Sequence, residues 1–219
     1  MEGFNADVAH ELCTPLATLI ANNELALRHP DQADMQEVIA SNLEELHRLT
    51  GIVNDMLFLS QADRGVGARR APVSSLASLA ADVLDYHEAS LAEAGLTAKV
   101  VGDVQGAFDA PLLRRALSNL LGNATRYARP GSIVQVGFKA MEEDRVLITV
   151  TNCGDMIDPE ILPHFFDRFF RADPARSHGQ SNHGLGLAIV GAIARMHQGK
   201  PVAWSDSGVT SVGLEINAH

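Results

Sequence analysis

The sequence predicts a two-part molecule, a helical hairpin followed by an α/β domain. Three observations predict it. Apolar residues recur at helical spacing through the first 62 positions, a stretch rich in glycine and arginine interrupts the chain, and helical and alternating patterns interleave beyond it.

The first helix is expected from Phe4 to about Leu27, with Phe4, Val8, Leu12, Leu16, Leu19, Ile20 and Leu27 in helical register. His29, Pro30 and Asp31 break that pattern. A second helix is expected from about Ala33 to Ala62, where Ile39, Leu43, Leu46, Thr50, Val53 and Leu57 alternate steps of four and three, a heptad-like seam. Two helices joined by a short loop bury only one face against each other. The seam therefore predicts pairing with a second copy into a dimeric four-helix bundle. The rival arrangement packs the hairpin on the rest of its own chain.

Asp63–Pro72 (DRGVGARRAP) holds three arginines with glycine and proline, and reads as a linker. The domains expected are thus 1–62 and 73–219. In the second, a helix over 74–94 ends at Gly95, and strands follow at 97–101 and 107–108. A helix over 111–128 opens on Pro111, a residue suited to a first turn. Strands at 132–139 and 145–151 flank a turn at Glu142–Asp144, a helix covers 185–197, and strands at 202–205 and 211–216 flank Ser207-Gly208. The irregular stretch 153–183 exceeds the roughly 12–15 residues usual for a structureless loop, and is read as a lid.

Composition narrows the function classes. With 46% hydrophobic and 20% charged residues the chain is an ordinary globular protein. A net charge of −10 argues against a nucleic-acid partner, which calls for a basic surface. Cys13 and Cys153 are too few for a disulfide framework and suit a reducing compartment. No apolar run approaches the roughly 18–20 residues of a bilayer span, and no signal peptide is recognisable. Because a helix is already under way three residues after Met1, the chain is expected to be a piece of something longer.

Three motifs carry chemistry. In HELCTPL, Thr14 lies one helical turn beyond His10 on the same face, while Glu11 must lean back to reach the ring. A carboxylate there would hold one ring hydrogen and leave the other nitrogen's lone pair free as a nucleophile. Pro15 removes a backbone hydrogen bond and loosens that turn. HExxT lacks the second histidine of a zinc helix, so no metal site follows from it. In NLLGNATRY, Asn119, Asn123 and Tyr127 form one row with Arg126 beside it, and Leu117, Leu120, Leu121 and Ala124 are left for the core. Amide oxygens are hard ligands for Mg²⁺, and a guanidinium donates to phosphate oxygens. In HGLGLAIV, Gly184 and Gly186 precede a helix whose first N–H groups and positive dipole end favour a phosphate.

Taken together, these motifs resemble the cytoplasmic core of a bacterial two-component sensor histidine kinase, and the match covers nearly the whole chain. HELCTPL resembles the phosphoacceptor box, NLLGNATRYA the N box, FFDRFFRAD (165–173) the F box and HGLGLAIV a glycine box, in the family's order. The resemblance implies a helical dimerisation and phosphoacceptor domain followed by a two-layer α/β sandwich of the histidine kinase/Hsp90-type ATPase kind. It implies ATP and Mg²⁺ as cofactors, His10 as phosphoryl acceptor, Glu11 as its base or orienting partner, and Thr14 positioning water for dephosphorylation of a partner. Asn123 with Asn119 would coordinate Mg²⁺. Arg126 and Tyr127 would line the nucleotide, with Asn152 and Gly154 at the adenine end and Gly184, Leu185 and Gly186 at the phosphates. Phe166 and Phe169 would anchor the lid. The implied partners are a second copy through the hairpin and the receiver domain of a response regulator. The implied location is the cytoplasmic side of an inner-membrane protein, anchored only through segments upstream of this chain.

Two departures stand out. Where the family's other glycine box usually has DxGxG, this chain has Asn152-Cys153-Gly154-Asp155-Met156. A neutral amide would bind the adenine amine more weakly than a carboxylate, by about 1 kcal/mol. Asn152 together with FDRFFRADPARS is similar to the heavy-metal sensor kinase branch. The rival functional reading is a signalling scaffold or phosphatase whose altered glycine box has cost it kinase activity.

Overall fold

The computed structural model describes residues 2–29, 34–172 and 183–219, with the side chains of residues 2–7 and of His10 outside the description. Helices α1 (Glu2–Arg28) and α2 (Met35–Asp63) form the hairpin. α1 is continuous across Pro15, which is buried. α2 starts where the Asp34 carboxylate accepts from the N–H groups of Gln36 and Glu37, at 2.9 and 3.3 Å.

The rest of the chain comprises β1 (Ala71–Val73), α3 (Leu76–Glu93), β2 (Thr97–Val101), β3 (Gly106–Phe108), α4 (Ala110–Tyr127), β4 (Ile133–Ala140), β5 (Arg145–Cys153), a short 3₁₀ turn at Leu162–His164, α5 (Gly186–Met196), β6 (Lys200–Asp206) and β7 (Val209–Asn217). A five-stranded sheet has the order β2-β4-β5-β7-β6, parallel between β2 and β4 and antiparallel elsewhere. α3, α4 and α5 cover one face of it, giving the two-layer sandwich. β1 and β3 form a separate antiparallel ribbon.

Local chemistry explains the boundaries. α3 is capped by the Ser75 hydroxyl accepting from Ser78 N–H, and α4 by Asp109 accepting from Leu112 N–H with Pro111 in the first turn. The β4–β5 and β6–β7 turns place Glu143, Asp144, Ser207 and Gly208 at positive φ, the backbone that tight hairpins require. Along β5, Val146, Ile148, Val150 and Asn152 are buried in strict alternation. Asn152 thus extends the helix-facing apolar row past its end.

The expected linker needs correcting. Its last residues belong to β1, and earlier ones are stitched to the α/β layer. Ala68 N–H donates to Met196 O at 3.1 Å, Arg69 N–H to the Asp109 carboxylate at 2.8 Å, and the Arg70 guanidinium to Asn217 O at 3.5 Å. What remains ahead of these bonds is 64–67. Nor is the α/β layer separate from the hairpin. Ile52 and Leu59 of α2 are buried in the core shared with α5. Arg115 pairs with Asp55 at 2.5 Å while lying 4.2 Å over the Phe58 ring, and Arg168 pairs with Asp63 at 2.6 Å. The rival packing, hairpin on its own chain, thus holds for the C-terminal half of α2. The seam residues Ile39, Leu43, Leu46, Val53 and Leu57 remain exposed.

Candidate active site

A cavity opens between α4, α5 and the segment after β5. Asn123, Arg126 and Tyr127 of α4 line it, with Asn152, Gly154, Asp155 and Ile157 on and beyond β5. Phe165, Phe170, Arg171 and Ala172 of the lid segment close another side, and Gly184, Gly186, Leu187 and Thr210 complete the wall. The cavity therefore joins the N-box row, the altered glycine box and the second glycine turn.

Close backbone approach explains its glycines. A Cβ on Gly154 would fall 2.5 Å from the Tyr127 carbonyl oxygen, and one on Gly184 would fall 2.7 Å from the Phe169 backbone. Gly184 also has φ +68°, and its carbonyl accepts from Phe169 N–H at 3.0 Å. The glycine turn and the lid segment are thus pressed back to back. A Cβ on Gly186 would stand 3.0 Å from the Asn119 amide oxygen.

Several expected residues lie elsewhere. Asn119 is not on the cavity wall; its amide donates to Arg115 O at 3.1 Å, back along its own helix. Leu185 is fully buried in the core and Leu187 takes the wall position. Phe166 and Phe169 pack against the core, a place that suits the expected anchoring of the lid, while Phe165, which also packs there, lines the cavity together with Phe170. Thr14 is exposed on α1. The side chain of His10 lies outside the described residues, though its backbone is on α1.

The walls favour an anion. Arg126 and Arg171 both line the cavity, and Arg126 Nε is buried without a partner among the described residues. An unpartnered buried donor is costly, and a phosphate oxygen would satisfy it. The first helical bond of α5 runs from Ile189 N–H to Leu185 O at 2.9 Å, so the N–H groups of residues 186–188 precede it at the positive dipole end. Asn152, 5% exposed, supplies a side-chain amide at the far wall, paired across the sheet with Thr210. Asn123 offers a carbonyl oxygen of the hard type that suits Mg²⁺.

His183, absent from the expected site, is the main addition. It is nearly buried, and its Nδ1 lies 2.9 Å from Glu11 Oε2 on α1. Arg171 approaches the other Glu11 oxygen at 3.8 Å. Burial lowers the His183 pKa against the opposing pull of Glu11, which favours a neutral ring. A carboxylate only accepts, so the hydrogen sits on Nδ1. The helix bearing residue 10 and the turn bearing Gly184 thus touch through two side chains. His183 was visible in the motif HGLGLAIV but carried no signal of a partner 172 positions away.

Comparison with known proteins gives the class. Residues 108–217 match the family described as histidine kinase-, DNA gyrase B-, and HSP90-like ATPase, and residues 1–65 match the His Kinase A (phospho-acceptor) domain. The chain belongs to the histidine kinase branch of that ATPase family, as a sensor kinase core with its phosphoacceptor domain in front. It is similar to the sensor histidine kinase CusS of Escherichia coli K12, 42% identical over 217 residues, covering 98% of this chain and 45% of the relative. The sensor protein CzcS of Cupriavidus metallidurans is 37% identical over 203 residues, covering 92% of this chain and 42% of the relative. The chain thus spans less than half the length of these curated relatives. In fold it is similar to the Acinetobacter baumannii histidine kinase AdeS, with a TM-score of 0.78 at 20% identity over 96% of this chain and 98% of that one. Among the described residues no helix is long and apolar enough to cross a membrane.

Proposed function

We propose that the chain binds ATP in the cavity between α4 and α5 and transfers the γ-phosphoryl group to His10, from which it passes to an aspartate of a response regulator. The observation that carries this is the cavity itself: an unpartnered Arg126 nitrogen, the α5 N-terminus and the Asn152 amide are arranged along one space, beside the helix holding the phosphoacceptor box.

The roles follow from the chemistry. Asn152 accepts from the adenine amine, with Gly154 letting the turn after β5 lie against the Tyr127 carbonyl of α4. Arg126, Arg171 and the α5 backbone balance phosphate charge, which is the main demand of phosphoryl transfer. Asn123 would hold Mg²⁺ through its carbonyl oxygen, with Asn119 one turn behind it. The ion, when bound, neutralises charge on the phosphates. An unprotonated ring nitrogen of His10 forms the N–P bond as the P–O bond to ADP breaks, and the electron pair leaves on the ADP oxygen. Glu11 acts as base or orienting partner, and Thr14 positions water when the regulator is dephosphorylated.

The exposed apolar seam of α2 supports pairing with a second copy. The input that controls transfer belongs to segments outside this chain, and an inner-membrane anchor would place this core in the cytoplasm. Asn152 and the FDRFFRADPARS run support the heavy-metal sensor branch.

Incubation with γ-labelled ATP and Mg²⁺ tests the reading. An acid-labile, base-stable label that disappears in His10→Gln is expected. Saturable nucleotide binding with no label would favour the scaffold or phosphatase reading.

A further inference from the structure

The helices cover one face of the five-stranded sheet and leave the other bare. Val134, Val136, Phe138, Ile148, Val212 and Leu214 are buried in the core under the helices, so the residues between them point the opposite way. On that far face the register lines up rows that cross the strands. The middle row runs Val101, Gly137, Thr149, Gly213 and Val202, from β2 to β6. It has no side chain at Gly137 and Gly213, so it stands lower than the rows beside it. One neighbouring row runs from Lys99 through Gln135, Thr151 and Ser211 to Trp204. The other runs from Lys139 through Leu147 and Glu215 to Lys200. At about 3.3 Å per residue these two flanking rows lie about 13 Å apart, and five strands spaced by about 4.8 Å span about 19 Å.

Lys99, Lys139 and Lys200 are all the lysines the chain has, in a molecule whose net charge is −10. Each is exposed. Lys200 lies 3.4 Å from Glu215, which also takes Arg145 at 2.9 Å, whereas Lys99 and Lys139 have no ion-pair partner among the described residues. The same face exposes Trp204, Val101, Ile133 and Val209. Contiguous exposed apolar groups with a polar rim mark an interaction surface, and cations gathered on one face of an acidic chain select an acidic partner.

We propose that this face docks an amphipathic helix of a partner protein, its apolar stripe along the Val101–Val202 row and its acidic flanks toward Lys99, Lys139 and Lys200. A helix about 10–12 Å across fits between the two flanking rows, and about 13 of its residues would span the sheet. The two glycines let its side chains come close to the backbone of the sheet. A planar anionic surface such as a lipid headgroup layer fits worse. Asp206 stands exposed beyond the first flanking row, and Glu142, Glu143 and Asp144 stand exposed beyond the second. A plane that reached both rows would also meet these carboxylates. The nucleotide cavity lies on the helix side of the sheet, so the docking face is separate from it and does not depend on the kinase reading.

Trp204 is the sole tryptophan of the chain and reports on this face directly. The probe is an alanine–leucine helix of about 18 residues with glutamates on both flanks of its leucine stripe, titrated into the full chain; a lysine-flanked copy is the control. The acidic helix is expected to move Trp204 emission to shorter wavelength and to saturate, with no response to the basic one. Lys99→Glu with Lys139→Glu should weaken that binding at least about tenfold and leave nucleotide affinity unchanged. No saturable shift, an equal response to both helices, or affinity for the acidic helix untouched by the substitutions would each overturn the proposal. So would a larger shift with phosphatidylglycerol vesicles, which would assign the face to lipid. A shift on concentrating the chain alone would assign it to a second copy and overturn it equally.

Discussion

The hairpin and the α/β layer place their apolar residues in opposite ways. Among the described side chains of α1 and α2 only Pro15, Ala26, Ile52 and Leu59 are buried, and Ile52 and Leu59 belong to the core shared with α5. Leu16, Ile20, Leu25, Leu27, Ile39, Leu43, Leu46, Val53 and Leu57 stay exposed. In the sheet and its helices the pattern reverses: Val134, Val136, Ile148, Leu120, Leu121, Ile189 and Ile193 are closed off from solvent. One layer completes its core within a single chain. The other leaves a stripe too apolar to face water alone, the mark of an interaction surface. Under the proposed reading the difference separates two tasks, holding a nucleotide in a rigid frame and presenting an acceptor on helices whose exposed stripe a second copy would cover.

The sharpest way to break that comparison is to put charge into the seam. Leu43→Glu with Leu46→Glu is expected to halve the mass seen by sedimentation while leaving the unfolding midpoint of the α/β layer in place. A fall in that midpoint with unchanged mass would mean that the stripe is covered within the chain.

Next in size is the complementary substitution. Ile189→Ala removes a fully buried side chain from α5 and should cost about 2–5 kcal/mol of stability in a urea titration, with no change in association. A loss below about 0.5 kcal/mol would show that this core is looser than its packing suggests.

A smaller effect concerns pH. The buried His197 ring uses both nitrogens in its neutral form: Nδ1–H donates to Ile193 O at 2.9 Å, and Nε2 accepts from Asp109 N–H at 3.1 Å. Burial lowers its folded pKa, as it does for His183. Above the unfolded value of about 6.5 both states are neutral and nothing is lost. Below it the unfolded chain takes up the proton first, so stability should fall by up to about 1.4 kcal/mol per pH unit for each such histidine until the folded pKa is passed. Urea midpoints measured from neutral pH downward check this, and His197→Asn should flatten the slope. A slope unchanged by that substitution would assign the acid sensitivity to other groups.

How much of this was legible in the residues depends on the range of the interaction. β2 lies at 97–101 as expected, and α4 begins within a residue of its predicted start, with Pro111 in the first turn as a local signal. The cavity residues Asn123, Arg126, Tyr127, Asn152, Gly154, Gly184 and Gly186 were named from motifs and do come together. What failed was long-range or finely angular. Nothing near 63–72 announces that Asp109 and Asn217 will hold those residues down. The four phenylalanines of FFDRFF look alike in sequence, yet only Phe165 and Phe170 of them line the cavity. Asn119 has the same spacing as Asn123 but bonds to its own helix. Thr210 enters the site solely through the register of β7 against Asn152.

The central claim is that phosphorus leaves a nucleotide held by the α/β layer and arrives on the hairpin. Mass-spectrometric mapping of the chain after incubation with isotopically γ-labelled ATP and Mg²⁺ measures that directly. The label should sit on residue 10 alone and be absent from Asn123→Asp. Label on another side chain, or an unmodified His10 beside a saturated cavity, would contradict it.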